Sequence, residues 1–147
     1  MLIAPAMLDE LIAHALREAP NECCGMVAVE PGAPARAARV HRAVNTAASP
    51  LRFEVDGTEL LRTIEQIEQD GCELGAIYHS HTRSEPYPSQ TDINFAANWP
   101  GVEWIIVGLA DGQEPKARSY LIDGGEIQEV HIQEVDVQEV DVQEAGG

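Results

Sequence analysis

Lysine is almost missing from this 147-residue chain: Lys116 is the only one, and Lys and Arg together number 9 against 25 Asp and Glu. The formal net charge of −16 argues against a nucleic-acid partner, because such binding rests on Lys and Arg neutralising phosphates. Cysteine is also scarce. Cys23, Cys24 and Cys72 are an odd number with two adjacent, which is not a disulfide framework. No C-x-x-C pair is present, so neither a thiolate zinc site nor a thioredoxin-type redox motif is expected, and reduced cytosolic thiols are. No apolar run approaches the ~20 residues needed to cross a bilayer. Met1 to Pro5 lacks a basic segment followed by an apolar one, so it does not read as a secretory signal. The expected location is the cytoplasm, with no membrane partner.

What is present is ordinary globular composition, 44% hydrophobic and 23% charged, enough for one buried core. Residues 5–18 read as an amphipathic helix with Leu8, Leu11, Ile12, Ala15 and Leu16 on its apolar face, Pro5 in its first turn and His14 on its surface. Met26 to Val29 reads as a short strand. Residues 35–44 read as another, with Arg39, His41 and Arg42 on its wet side. Asp56 is an expected N-cap, with Glu59 completing a capping box, for a second helix whose apolar face is Leu60, Leu61, Ile64 and Ile67. Leu74 to Tyr78 is apolar throughout, as expected of a central strand buried on both faces. Ser89 is an expected N-cap for a third helix running to about Trp99. Glu103 to Leu109 and Arg118 to Ile122 read as strands, with turns at Asp111-Gly112 and at residues 123–125. The last of these suggests a hairpin at the sheet edge.

The end of the chain is a repeat. Residues 127–131, 132–136, 137–141 and 142–146 follow a five-residue period, and residues 127–147 hold six acids and no Lys or Arg. That period matches neither strand nor helix. The expected organisation is one domain over residues 1–126 and an acidic extension over 127–147, whose first unit finishes the last strand and whose remainder is solvated. The element order predicts an α/β (α+β) domain with helices packed on a mixed sheet.

Chemistry concentrates after the central strand. His79 and His81 alternate by two, which puts both imidazoles on one strand face and Ser80 on the other. Such a pair suits a borderline-soft cation such as zinc, and Asp92, brought over by the next helix, could add a carboxylate. Three protein ligands with one open position is the layout of a catalytic site rather than a structural one. Amide hydrolysis also needs a base that does not bind the metal. Glu22, at a loop-to-strand junction before Gly25, is the best candidate outside this stretch. Ser89 is placed to donate to a developing oxyanion. Each residue alone has a plain reading: Ser89 as a cap, Asp92 as a first-turn acid, Glu22 as a surface acid. Cys23 and Cys24 read as packing residues, and Trp99 and Trp104 as core. Tyr87, in the loop between the ligands, could line a substrate groove. The combination H-x-H-x7-S-x2-D at the end of a buried strand is far more specific than its parts.

Glu22, His79, His81, Ser89 and Asp92 at this spacing resemble the JAMM (MPN+) metalloprotease motif, over roughly residues 3–125. The resemblance implies a curved mixed β-sheet flanked by helices, similar to the cytidine deaminase fold. It implies His79, His81 and Asp92 as ligands of one Zn2+ per chain, Glu22 as general base and acid, and Ser89 as a stabiliser of the tetrahedral intermediate. One departure is Thr82, where the family commonly has proline. The short length and the segments around Glu22 and His79 look most like small bacterial members. These resemble peptidases that act after the C-terminal diglycine of a ubiquitin-like sulfur-carrier protein, one of which releases cysteine from a carrier–cysteine adduct in cysteine biosynthesis. A deubiquitinase-like isopeptidase would need the same residues. A non-catalytic scaffold of this fold would be expected to lose ligands, and none is lost. A nucleoside-type zinc deaminase would need H-x-E and P-C-x-x-C, and neither is present.

Overall fold

The computed structural model describes residues 1–110 and 114–135. The expected turn at Asp111-Gly112 and the repeat units beyond residue 135 lie outside the described residues. Helix α1, Pro5–Glu18, has proline in its first turn and no side-chain cap, so the fixed φ of Pro5 serves as its starting signal. Leu11, His14 and Ala15 are the residues it buries. His14 is thus a core residue and not a surface one. It lies three positions after Leu11, on the same stripe, and its Nδ1 meets the Tyr78 hydroxyl at 2.7 Å. Leu16 was expected on the apolar face and is 55% exposed instead.

Strand β1 (Leu2–Ile3) precedes α1. After it come β2 (Cys24–Glu30), β3 (Arg36–Ala43), helix α2 (Gly57–Gln69), β4 (Glu73–His81), helix α3 (Gln90–Ala96), β5 (Glu103–Gly108), β6 (Lys116–Asp123), β7 (Glu126–Val130) and β8 (Gln133–Glu134). The strands form one mixed sheet in the order β7-β6-β5-β4-β2-β3-β1-β8. β4 is central, antiparallel to β2 and parallel to β5. The hairpin turning at Gly124 and Gly125, both with positive φ, ends the sheet at β7 as expected.

β8 was not expected as a strand. Its amides complete the far edge through Gln133 N–H donating to the Met1 carbonyl and Val135 N–H to the Ile3 carbonyl, at 3.0 and 2.9 Å. β7 ends at Val130 and β8 begins at Gln133, on opposite edges of the sheet order. Three extended residues span at most ~10 Å, so the two edges come that close. The sheet is curled almost into a barrel.

The curled sheet has a core on each face. α1 covers Val27, Val29, Ala76, Tyr78, Ile105 and Val107 on one face. α2 and α3 cover Cys24, Met26, Ile77, Trp104 and Ile106 on the other. Coverage on both faces explains why β4 reads as a continuous apolar run. Gly25 has no alternative in β2, because a Cβ there would collide with the Tyr78 ring.

α2 begins as expected, with Asp56 accepting from Glu59 N–H at 3.1 Å. The Glu59 carboxylate accepts instead from Val44 N–H at 3.2 Å, so the capping box is only half formed. Leu61 is 63% exposed, and Leu60, Ile64 and Ile67 carry the packing. In β3, Arg39 and Arg42 are exposed but on opposite faces, Arg42 lying 3.7 Å from Glu10 of α1. His41 is half-buried rather than wet. α3 stops at Ala96, three residues early, where Asn98 and Trp99 switch to i→i−3 bonds with Phe95 and Ala96. No helix among the described residues is long and apolar enough to cross a membrane.

Candidate metal centre and active site

The last residues of β4 build the site. His79 and His81 point to the same sheet face, with ring centroids 5.0 Å apart. Asp92 arrives from the first turn of α3, where it and Ser89 form a reciprocal capping box. The Ser89 amide donates to Asp92 Oδ2 at 2.9 Å, and the Asp92 amide donates to Ser89 Oγ at 3.2 Å. This cap aims the rest of the carboxylate at the histidines. Oδ1 lies 3.1 Å from His79 Nε2, and Oδ2 lies 3.4 Å from His81 Nε2.

Glu22 reaches His79 from the other side, its Oε1 3.5 Å from Nδ1. The antiparallel register that pairs Cys24 with His79 brings residue 22 level with the end of β4. Four backbone bonds then hold it. Glu22 N–H donates to the Ser49 carbonyl at 2.9 Å, and the Glu22 carbonyl accepts from Asn45 Nδ2 at 3.0 Å. Cys23 N–H donates to Ser80 Oγ at 2.8 Å, and Ser80 N–H returns a bond to the Cys23 carbonyl at 3.2 Å. The residue between the two histidines therefore fastens the strand carrying Glu22.

His79, Asp92, Glu22 and His81 are all at most 8% exposed. Buried charges and imidazoles are costly unless compensated. Burial alone would lower the His79 pKa, but the carboxylates of Asp92 and Glu22 outweigh it and raise the pKa to about 9. Burial would likewise raise Asp92, yet His79, His81 and the Ser89 amide hold its carboxyl well below the usual range. His81 Nδ1 lies 3.0 Å from the Glu85 carbonyl, which can only accept, so Nδ1 is the donor there and Nε2 is the ring nitrogen that faces Asp92.

Two observations test whether these residues fit a metal. Neither buried nitrogen of His79 has a partner of hydrogen-bond geometry, despite the short distances to Asp92 and Glu22. One ligand atom each from His79, His81 and Asp92 lies within 4.8 Å of the others. Two imidazoles and a carboxylate converging on one point fit a divalent ion between them.

The site opens into a cleft of about 190 Å³ walled by Glu22, Phe53, His81, Ser89 and Asp92, with Arg52 and Arg83 also lining it. Phe53 stacks on His79 at 4.7 Å, and Trp104 meets it edge-on at 6.3 Å, closing the back of the site. Tyr87 is not in this wall. It packs edge-on against Tyr120, whose hydroxyl donates to the Pro86 carbonyl and anchors the loop. Burial pushes the Cys23 and Cys24 thiols up to about 11 and about 12, as expected of packing residues rather than nucleophiles. Phe53 and Ser80 were missed from sequence. A lone aromatic in the segment between β3 and α2 was the available signal for Phe53.

The family model describing prokaryotic homologs of the JAB domain matches residues 4–123. The CysO-cysteine peptidase of Mycobacterium tuberculosis is 33% identical over 129 residues, 88% of this chain and 87% of that protein. A probable TtuB-protein conjugate cleaving protease of Thermus thermophilus is 35% identical over 127 residues, covering 86% and 78%. The solution structure of a Desulfitobacterium hafniense protein superposes with a TM-score of 0.80 at 28% identity, covering 93% of this chain and 95% of that one. The chain belongs to the prokaryotic JAB-domain family and is a JAMM-type hydrolase.

Proposed function

We propose that this enzyme is a zinc metallopeptidase that hydrolyses the peptide bond after the C-terminal glycine of a ubiquitin-like sulfur-carrier protein, as in release of cysteine from a carrier–cysteine adduct. The observation that carries the reading is the buried convergence of His79, His81 and Asp92 with Glu22 beside them but outside the set. The name of the M. tuberculosis relative supports the substrate class. His79, His81 and Asp92 hold the ion. Zinc bound there supplies Lewis acidity, which makes water nucleophilic near neutral pH.

The remaining work falls to the protein. Glu22, buried and fixed through its backbone, accepts the proton of the attacking water and delivers it to the leaving amine. Ser89 accepts the Asp92 amide through its oxygen. Its hydroxyl proton stays free to donate to the scissile carbonyl oxygen as negative charge develops there. Phe53 and the sheet wall keep bulk water from the reacting groups, which strengthens each electrostatic contact.

The test is incubation of the zinc-loaded protein with sulfur carriers extended beyond their C-terminal glycines, with mass spectrometry of the products. Release of the extension, lost in Glu22→Gln, is expected. Intact carriers in the presence of bound zinc would refute the reading. A second reading, an isopeptidase that removes a ubiquitin-like modifier from lysine, is favoured by the name of the T. thermophilus relative. A lysine-linked conjugate in the same assay separates the two.

A further inference from the structure

We propose that Arg83 makes the cleft selective for a free α-carboxylate one residue beyond the scissile bond, so that the enzyme releases single C-terminal residues; this rests on the peptidase reading above. Two arginines, Arg52 and Arg83, line the cleft together with Glu22, His81 and Asp92, in a chain where acids outnumber cations 25 to 9. They are not equivalent. Arg52 Nη1 pairs with Glu54 Oε1 at 3.1 Å. Arg83 is exposed and makes no ion pair among the described residues.

The Arg83 backbone is held where this cation is useful. It lies two residues after His81, just past the end of β4. Thr82 Oγ1 donates to the Pro50 carbonyl at 3.3 Å on one side of it, and His81 Nδ1 binds the Glu85 carbonyl on the other. Its side chain therefore starts from a fixed point two residues after His81, in a residue that lines the cleft.

The chemistry of the substrate fits this placement. When one residue leaves, its carboxylate lies about one residue length, ~3.8 Å, past the scissile position. A guanidinium fork matches a carboxylate with two parallel hydrogen bonds. A longer extension puts a neutral amide at that place, and a lysine isopeptide puts methylene groups there. Arg83 thus discriminates a single-residue adduct from both without touching the bond that breaks.

The experiment uses the zinc-loaded full chain and a sulfur-carrier protein ending in Gly-Gly-Ala. The carrier is made with either a free C-terminal carboxylate or a carboxamide, and a Gly-Gly conjugate to lysine serves as a third substrate. Wild type is expected to favour the acid over the carboxamide about tenfold to a hundredfold in kcat/KM. In Arg83→Ala the ratio should fall to about one, and Arg83→Lys should retain part of it. A ratio near one in wild type overturns the inference with no variant needed. So does an unchanged ratio in Arg83→Ala with zinc still bound. Cleavage of the acid and carboxamide carriers at equal rates leaves the peptidase reading standing and removes only the role of Arg83. Failure to cleave either carrier, with or without cleavage of the lysine conjugate, overturns both.

Discussion

Ser89 and Asp92 hold each other at the start of α3, each amide donating to the other's side chain. The same carboxylate lies 3.1 Å from His79 and 3.4 Å from His81. One carboxylate thus both caps α3 and belongs to the His79–His81–Asp92 group that could hold a metal ion.

Ser89→Ala keeps the backbone amide that holds Asp92 Oδ2 and removes only the hydroxyl, so two separable losses are expected. Stability should fall by about 1 kcal/mol from the lost cap, read as a shift of the urea midpoint. Turnover should fall about a hundredfold to a thousandfold from the lost oxyanion donor, with zinc content unchanged. A stability loss alone would leave Ser89 as a cap and nothing more.

In the proposed mechanism Glu22→Gln removes the proton carrier and leaves His79, His81 and Asp92 in place. Metal analysis should still find about one zinc per chain, while kcat falls about a hundredfold to ten-thousandfold. Substantial turnover in this variant would remove Glu22 from the mechanism.

Metal removal should be felt in folding as well as in activity. His79, His81 and Asp92 are buried close together, so an ion between them offsets a costly cluster. At a free zinc concentration one hundred times the dissociation constant, the gain is about 2.7 kcal/mol. Chelation should therefore abolish activity and lower the melting temperature, and added zinc should restore both. Identical melting curves with and without chelator would contradict this.

His14 predicts an acid sensitivity outside the catalytic site. Burial lowers its pKa below the ordinary 6.5. The unfolded chain then takes up the proton first, so this stability is fully present above pH ~6.5 and is lost as pH falls below it. In His14→Asn, which keeps a polar partner for the Tyr78 hydroxyl without a titrating ring, the drop in urea midpoint between pH 7.5 and pH 5 should be smaller than in wild type. An equal drop would place the sensitivity elsewhere.

Truncation tests the closing edge of the sheet. Deleting residues 136–147 retains every described element and should leave the melting temperature unchanged. Deleting 133–147 also removes the β8–β1 pairing, including the bonds of Gln133 N–H to the Met1 carbonyl and Val135 N–H to the Ile3 carbonyl, and should cost about 1–3 kcal/mol. Equal melting temperatures for the two truncations would mean that β8 adds nothing.

What the sequence determined by itself is local. Pro5 and the 3.6-residue stripe set the bounds of α1. Ser89 and Asp92, three apart, specified a cap. The two-residue alternation of His79 and His81 placed both rings on one face of β4. Each follows from backbone geometry within a few residues. The half-used capping box at Asp56 shows the limit of such reading, because Val44, 15 residues upstream of Glu59, takes the carboxylate that local pattern assigned to the cap. Tertiary structure decided the rest. The β2–β4 register brought Glu22 beside His79, Ser80 fastened it there, and Phe53 came over from the segment between β3 and α2 to stack on the ring. The curl of the sheet turned two residues of an acidic repeat into β8. These contacts join segments tens of residues apart, and their partners are chosen by strand pairing and by which faces are covered, so no local period in the chain encodes them.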